Sequence, residues 1–247
     1  MGVHAACGPW GEHFGWDAFE ECNLGFRLRP GSDVSEPMRR RFSDYLRTKY
    51  GNDVSRLREA FKDKDVTFET VHVPTAEERR RLNEDGWRDP ADGRLVPDYF
   101  ECHHETTVRM IENFCRAAKE ATDGRKLTCV FYGYTQDEPW GIECDHRAVS
   151  KLLASPWVDM ISAPHTYNRR EPGGDASMRQ YLASTALHGK IFIDESDDRT
   201  YLQRRKARTG EPYPGYFATN VMETVQTWLH GLGRRNCCPG DMPYQGN

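Results

Sequence analysis

The sequence predicts an α/β fold built on parallel strands, and three observations predict it. Short apolar runs of β-type residues at 127–132, 158–162 and 190–194 stand apart from one another in the second half of the chain. Segments with helical periodicity separate or follow them, which is the alternation that parallel sheets require. The chain has 247 residues, with six Trp, eleven Tyr and eleven Phe. That is enough apolar area for a large core, and it argues against disorder. The length also matches the ~250 residues of a bare (β/α)8 barrel.

The elements follow in order. Residues 1–7 form a short apolar run that predicts a buried strand. Residues 8–34, rich in Gly, aromatics and charge, predict loop. Ser35-Glu36-Pro37 is a helix start, with Ser as N-cap and Pro in the first turn. Met38, Phe42, Tyr45 and Leu46 then share one face, so the helix should run to about Lys49 and stop at Gly51. Asp53 or Ser55 can cap a second short helix carrying Leu57 and Phe61. Residues 62–97 are polar and without a sustained period, and predict a long excursion. From Asp98 a helix should reach Thr122 and end at Gly124, with Phe100, Val108, Ile111, Phe114, Cys115 and Ala118 inward. Three strand–helix steps follow: the strand at 127–132 with a helix over 146–153, the strand at 158–162 with a helix over 176–187, and the strand at 190–194 with a helix over 217–229.

Composition narrows the function classes. A net charge of −4 gives no electrostatic reason to expect nucleic-acid binding. No apolar run approaches the ~20 residues of a membrane-spanning helix, so no membrane partner is expected. No charged-then-apolar leader opens the chain, and the expected location is cytoplasmic. The eight Cys are scattered and form no CxxC, which speaks against a zinc ribbon or a redox pair. Cys115 and Cys129 lie in apolar segments and are expected to be reduced core residues. The adjacent Cys237 and Cys238 have no functional account. His104-Glu105-Thr106-Thr107-Val108 lacks the second His of a zinc-protease motif and is expected to be a solvated helix face. The Arg runs 39–41 and 79–81 are expected to be solvated in the same way. Gly-rich phosphate loops are absent, and no metal or cofactor is expected.

In parallel α/β folds, function sits just past the carboxyl ends of the strands. Those positions hold Glu12 with Trp10 and Trp16, then Tyr134, then His165, Tyr167 and Arg169, then Glu195 and Arg199. Two carboxylates among aromatic and basic groups suit a sugar site. Aromatic faces stack on pyranose rings, and charged groups bind hydroxyls. Two carboxylates can supply the acid and the nucleophile of glycoside hydrolysis. On these residues alone, the plainer reading is that both are ordinary loop carboxylates paired with Arg.

Five stretches in order resemble glycoside hydrolase family 42, retaining β-galactosidase-like enzymes with a TIM barrel. GVHAACGPWGEHFGW resembles the end of the fourth barrel strand. SEPMRRRFSDYLRTKYGNDVSRLREAF resembles the helical insertion after it. LTCVFYGYT, VDMISAPHTYNRR and HGKIFIDESDDRTYL resemble the fifth, sixth and seventh strands. The resemblance implies Glu12 as general acid/base and Glu195 as nucleophile. Tyr167 would hydrogen-bond Glu195, Arg169 and Arg199 would balance charge, and Trp10, Trp16 and Tyr134 would be sugar platforms. His165 joins the implied substrate-binding set. A glycoside or oligosaccharide substrate is implied, and a homo-oligomer, trimers being frequent in the family. Two departures stand out: Gly11 occupies the place of the family's Asn before the acid/base, and only Cys22 lies where some members carry a zinc-binding Cys cluster.

The resemblance implies a partial (β/α)8 TIM barrel of about strands 4 to 8, one catalytic domain over 1–247. Its insertion spans about 20–97 and its atypical tail about 232–247. Subtracting the 78 positions of the insertion from 247 leaves 169, or about five βα units at ~31 residues each. The tail is polar and rich in Pro and Gly, and it is not expected to look like an eighth strand. The expected activity is cleavage of β-galactosides or related β-glycosides with retention. The alternatives are a non-catalytic carbohydrate-binding relative, inactive as a truncated barrel, and an unrelated α/β protein.

Overall fold

The structure, a computed structural model, describes residues 2–6, 33–83, 86–132, 146–164, 180–196 and 240–243. The elements are β1 (Gly2–Ala6), α1 (Glu36–Lys49), α2 (Val54–Phe61), α3 (Ala76–Arg80), a 3-10 turn (Pro90–Asp92), α4 (Leu95–Ala121), β2 (Leu127–Phe131), α5 (Val149–Ala154), β3 (Met160–Pro164), α6 (Leu182–Leu187), β4 (Ile191–Ser196) and β5 (Gly240–Pro243). The chain divides into a helical unit, Phe14–Met110 with Trp140–Ala148, and a sheet unit formed by the rest.

Among the described residues the sheet unit holds five strands in the order β1-β2-β3-β4-β5, all parallel. Every strand therefore pairs with its neighbour in sequence. A doubly wound sheet would instead reverse direction at a switch point. Thr128, Cys129 and Val130 of β2 and Ile161, Ser162 and Ala163 of β3 are buried on both faces, as parallel strands covered by helices must be. Phe131, Ala163, Phe192 and Leu182 of α6 pack together. β5 lies in the polar tail that was not expected to supply a strand. Its residues pair with β4 from Gly240 beside Ile193 to Pro243 beside Ser196. Backbone pairing needs no apolar side chain, and the edge of β4 supplies the ladder. β1 is the other surprise. It pairs only with β2 among the described residues, so Val3 and Ala5 are half-buried and His4 is exposed, not buried as expected.

At the amino ends of β2 and β3 a polar knot holds the strands in register. The Thr128 N–H donates to Asp159 at 2.7 Å, and Lys119 reaches the same carboxylate at 2.5 Å. Lys190 donates to the carbonyls of Ser155 and Val158, at 2.5 and 2.7 Å.

The helical unit has its own core: Met38, Phe42, Leu46, Tyr50, Leu57, Phe61, Val66, Phe68, Val71, Val96, Tyr99, Phe100 and Cys102. Ser35 caps α1 through Met38 N–H, and Asp53 caps α2 through Ser55 N–H, as the sequence predicts. The 62–97 excursion is more ordered than its pattern suggests. Thr75 and Glu78 form a reciprocal capping box at α3, and Val66, Phe68 and Val71 enter the core without any period. Asp98 is fully buried beneath α1. It accepts from Tyr50 at 2.5 Å, from Lys49 at 3.1 Å and from Arg94 at 2.8 Å. Burial requires that a carboxylate be partnered in this way.

Three expectations need correcting here. His104 and Thr107 are buried, because the motif beginning at His104 falls on the inward stripe of α4 with Phe100 and Val108. Arg79 is also buried. Its guanidinium donates to the Pro74 carbonyl at 2.5 Å and lies over the Tyr99 ring. Phe114 is 52% exposed. The buried seam passes through Val108, Ile111 and Cys115, and a residue beside Cys115 is turned ~100° away from it.

Candidate active site

Because all five strands are parallel, their carboxyl ends share one edge of the sheet. The ends are Ala6, Phe131, Pro164, Ser196 and Pro243. Glu195 belongs to that edge. It is the fifth residue of β4, beside Pro164 of β3 and Met242 of β5. Glu12 lies six positions past Ala6, outside the described residues. Trp10, Trp16, Tyr134, His165, Tyr167, Arg169 and Arg199 also lie outside them. Each follows the carboxyl end of a described strand: Trp10 and Trp16 follow β1, Tyr134 follows β2, the 165–169 group follows β3, and Arg199 follows β4.

β1 and β4 are separated by two strands. At ~4.8 Å per step, three steps span about 14 Å measured along the sheet. The register of β1 also shifts between His4 and Ala6, where two residues advance against one step from Cys129 to Val130.

The carboxyl edge has internal supports that the sequence pattern did not single out. Tyr132, Ser162 and Gln180 are all buried. Gln180 donates from Nε2 to the Tyr132 carbonyl at 3.2 Å, and its Oε1 accepts the Tyr181 N–H at 2.7 Å. The Tyr132 N–H donates to the Ser162 carbonyl at 3.2 Å. Ser162 Oγ donates to the Ile193 carbonyl at 3.0 Å. A buried polar residue inside an otherwise apolar strand, as in the run Met160-Ile161-Ser162-Ala163, is the signal that could have found Ser162. Gln180 carries no such signal.

No protein-family model matches the chain, and no curated protein sequence matches it. Among solved structures it is similar to the catalytic domain of a beta-amylase from Paenibacillus polymyxa. That alignment has 10% identity and a TM-score of 0.50, and covers 81% of this chain and 54% of that one. An agarase aligns at 13% identity with a TM-score of 0.49, over 95% of this chain and 30% of its own. The chain therefore spans about half the length of the beta-amylase domain it resembles. At such identity the likeness concerns the fold alone.

Proposed function

We propose that the chain is a glycoside hydrolase module acting with retention on β-galactosides or related β-glycosides. In this assignment it is a partial (β/α)8 barrel of the kind found in glycoside hydrolase family 42. The observation that carries it is the address of Glu195. It stands at the carboxyl edge of β4, in an all-parallel, sequentially ordered sheet whose β1 precedes the segment bearing Glu12. Sequential order supports a barrel because neighbouring barrel strands are consecutive in the chain. The fold likeness to a beta-amylase catalytic domain agrees with this architecture.

Glu12 would protonate the leaving oxygen, and Glu195 would attack the anomeric carbon to form a glycosyl-enzyme. Glu12, now a base, would then activate water for its release. Retention requires the two carboxyl groups ~5–5.5 Å apart, and an acid kept protonated beside an ionised partner.

The test uses 4-nitrophenyl β-D-galactoside, β-D-fucoside, α-L-arabinopyranoside and β-D-glucoside with the chain and its Glu195→Gln and Glu12→Gln variants. A 2-fluoro glycoside with a good leaving group provides the trap. The expected outcome is turnover of at least one substrate, lowered at least about a thousandfold by Glu195→Gln. Peptide mapping should find the trapped sugar on Glu195. Inversion at the anomeric carbon, or unchanged turnover in Glu195→Gln, would sink the assignment. Sugar binding without turnover would favour a non-catalytic relative, the reading to which Gly11, in place of the family's Asn, lends support.

A further inference from the structure

We infer that Ser162 and Gln180 are positioning residues that set where Glu195 stands at the carboxyl edge of the sheet. Only the chemical role of Glu195 rests on the glycosidase assignment. The linkage itself rests on geometry within the sheet unit.

Three bonds run side by side across three strand ends. Gln180 Nε2 holds the Tyr132 carbonyl at 3.2 Å, the first backbone acceptor after β2. The Tyr132 N–H holds the Ser162 carbonyl at 3.2 Å. Ser162 Oγ then holds the Ile193 carbonyl at 3.0 Å, two residues before Glu195. Neither side chain is needed for the strands to pair. Ser162 already sits beside Ile193 in the β3–β4 register, so its hydroxyl adds a bond to that pair. Gln180 comes from the residues preceding α6, yet it fastens the exit of β2. The segment returning from β3 is thereby tied to the strand before it.

Both side chains are enclosed, Ser162 completely and Gln180 to 3% exposure. A buried amide must have its donor and acceptor met, and both ends of Gln180 are used, by Tyr132 and Tyr181. A Leu or Ala could fill either position without a polar requirement. A positioning role accounts for polar residues here, because a reacting carboxylate displaced by ~1 Å loses most of its advantage.

The experiment compares the chain with Ser162→Ala, Ser162→Thr, Gln180→Ala and Gln180→Glu. Hydrogen–deuterium exchange is followed in peptides covering β2 and β4, and steady-state hydrolysis of the best aryl glycoside is measured in parallel. Ser162→Ala should speed exchange of the 193–195 amides about fivefold to tenfold, and Ser162→Thr should restore protection. Gln180→Ala and Gln180→Glu should do the same at Tyr132 and, more weakly, at 193–195. In hydrolysis, Ser162→Ala should lower kcat about tenfold with KM within about twofold, and Thr should rescue it. A residue that only stabilised the fold would lower the unfolding midpoint without this split between kcat and KM. Should Ser162→Ala fail to fold, Gln180→Glu carries the same comparison. Exchange at 193–195 unchanged within twofold in every variant overturns the inference. If the parent hydrolyses no glycoside but Ser162→Ala still releases 193–195, the glycosidase assignment fails and the positioning linkage stands.

Discussion

Cys102, Cys115 and Cys129 are buried free thiols, and burial pushes their pKa up, to about 12, 11 and 12. Thiolate is the reactive form, so all three are doubly protected. Iodoacetamide at pH 8 should leave them unmodified in the native protein and label them in 6 M urea, as peptide mass spectrometry would show. Native labelling of Cys115 or Cys129 would mean that the described core is wrong. Their burial was legible in the sequence, because both sit within apolar runs. The burial of Arg79 was not, since nothing local shows that a guanidinium will find the Pro74 carbonyl and the face of Tyr99. Trp10, Trp16, Tyr134, His165, Tyr167, Arg169 and Arg199 were legible only as residues that follow strand ends, and they lie outside the described residues.

At the scale of elements, the clearest dependence is the approach of Gly93 to the end of α2. Gly93 has φ +74, and a Cβ there would meet the Phe61 carbonyl oxygen at 2.7 Å. The next residue, Arg94, donates its N–H to the Ala60 carbonyl at 3.0 Å, which fixes the approach. Gly93→Ala should therefore cost about 2–3 kcal/mol, since both the dihedral and the contact resist it. Gly124→Ala, also at positive φ but with nothing within 4 Å, should cost less. Urea midpoints of the two variants compare them directly, and equal losses would refute the close-approach account. Helices α1 and α2 were legible because their caps and apolar stripes are local. Strand β5 was not, because Gly240-Asp241-Met242-Pro243 forms a strand only where the edge of β4 offers it a ladder.

For the whole molecule, the shifted groups predict a stability plateau with two shoulders. Burial tends to raise the pKa of Asp159 and Glu101, but the ion pairs and hydrogen bonds from Lys119 and from Lys49 outweigh it and leave both lowered. Carboxylates lowered by folding stabilise above their unfolded values, near 3.8 and 4.5, and lose that contribution as pH falls through the folded values. Though His4 is exposed as a residue, partial desolvation of its ring beside Phe131 lowers its pKa, so its protonation below about 6.5 acts in the same direction. On the alkaline side the sign reverses. Burial, then Glu101 and Asp98 respectively, raises Tyr45 and Tyr50, and burial raises the three thiols. Groups raised by folding in this way stabilise below their unfolded values, near 9 to 10, and lose that contribution as pH rises. Denaturant midpoints should be flat between about pH 6.5 and 8.5 and fall on both sides. Asp159→Asn should be less stable than the parent at pH 7, and the gap should narrow toward pH 3. A gap that widened in acid would contradict the Lys119–Asp159 account.

Alternation of β-type runs with helical periods determined the class, parallel α/β, and placed Glu195 at a strand end. Those are properties of local pattern, because hydrophobic period and capping act over a few residues. Only the tertiary structure decided that the five strands run in sequential order, that β1 is half-exposed, and that the tail contributes β5. It alone brought Gln180 to Tyr132, 48 positions away, and Ser162 to Ile193, 31 positions away. Such partners are set by which strand ends adjoin, and strand adjacency is a long-range choice that no short window of sequence contains.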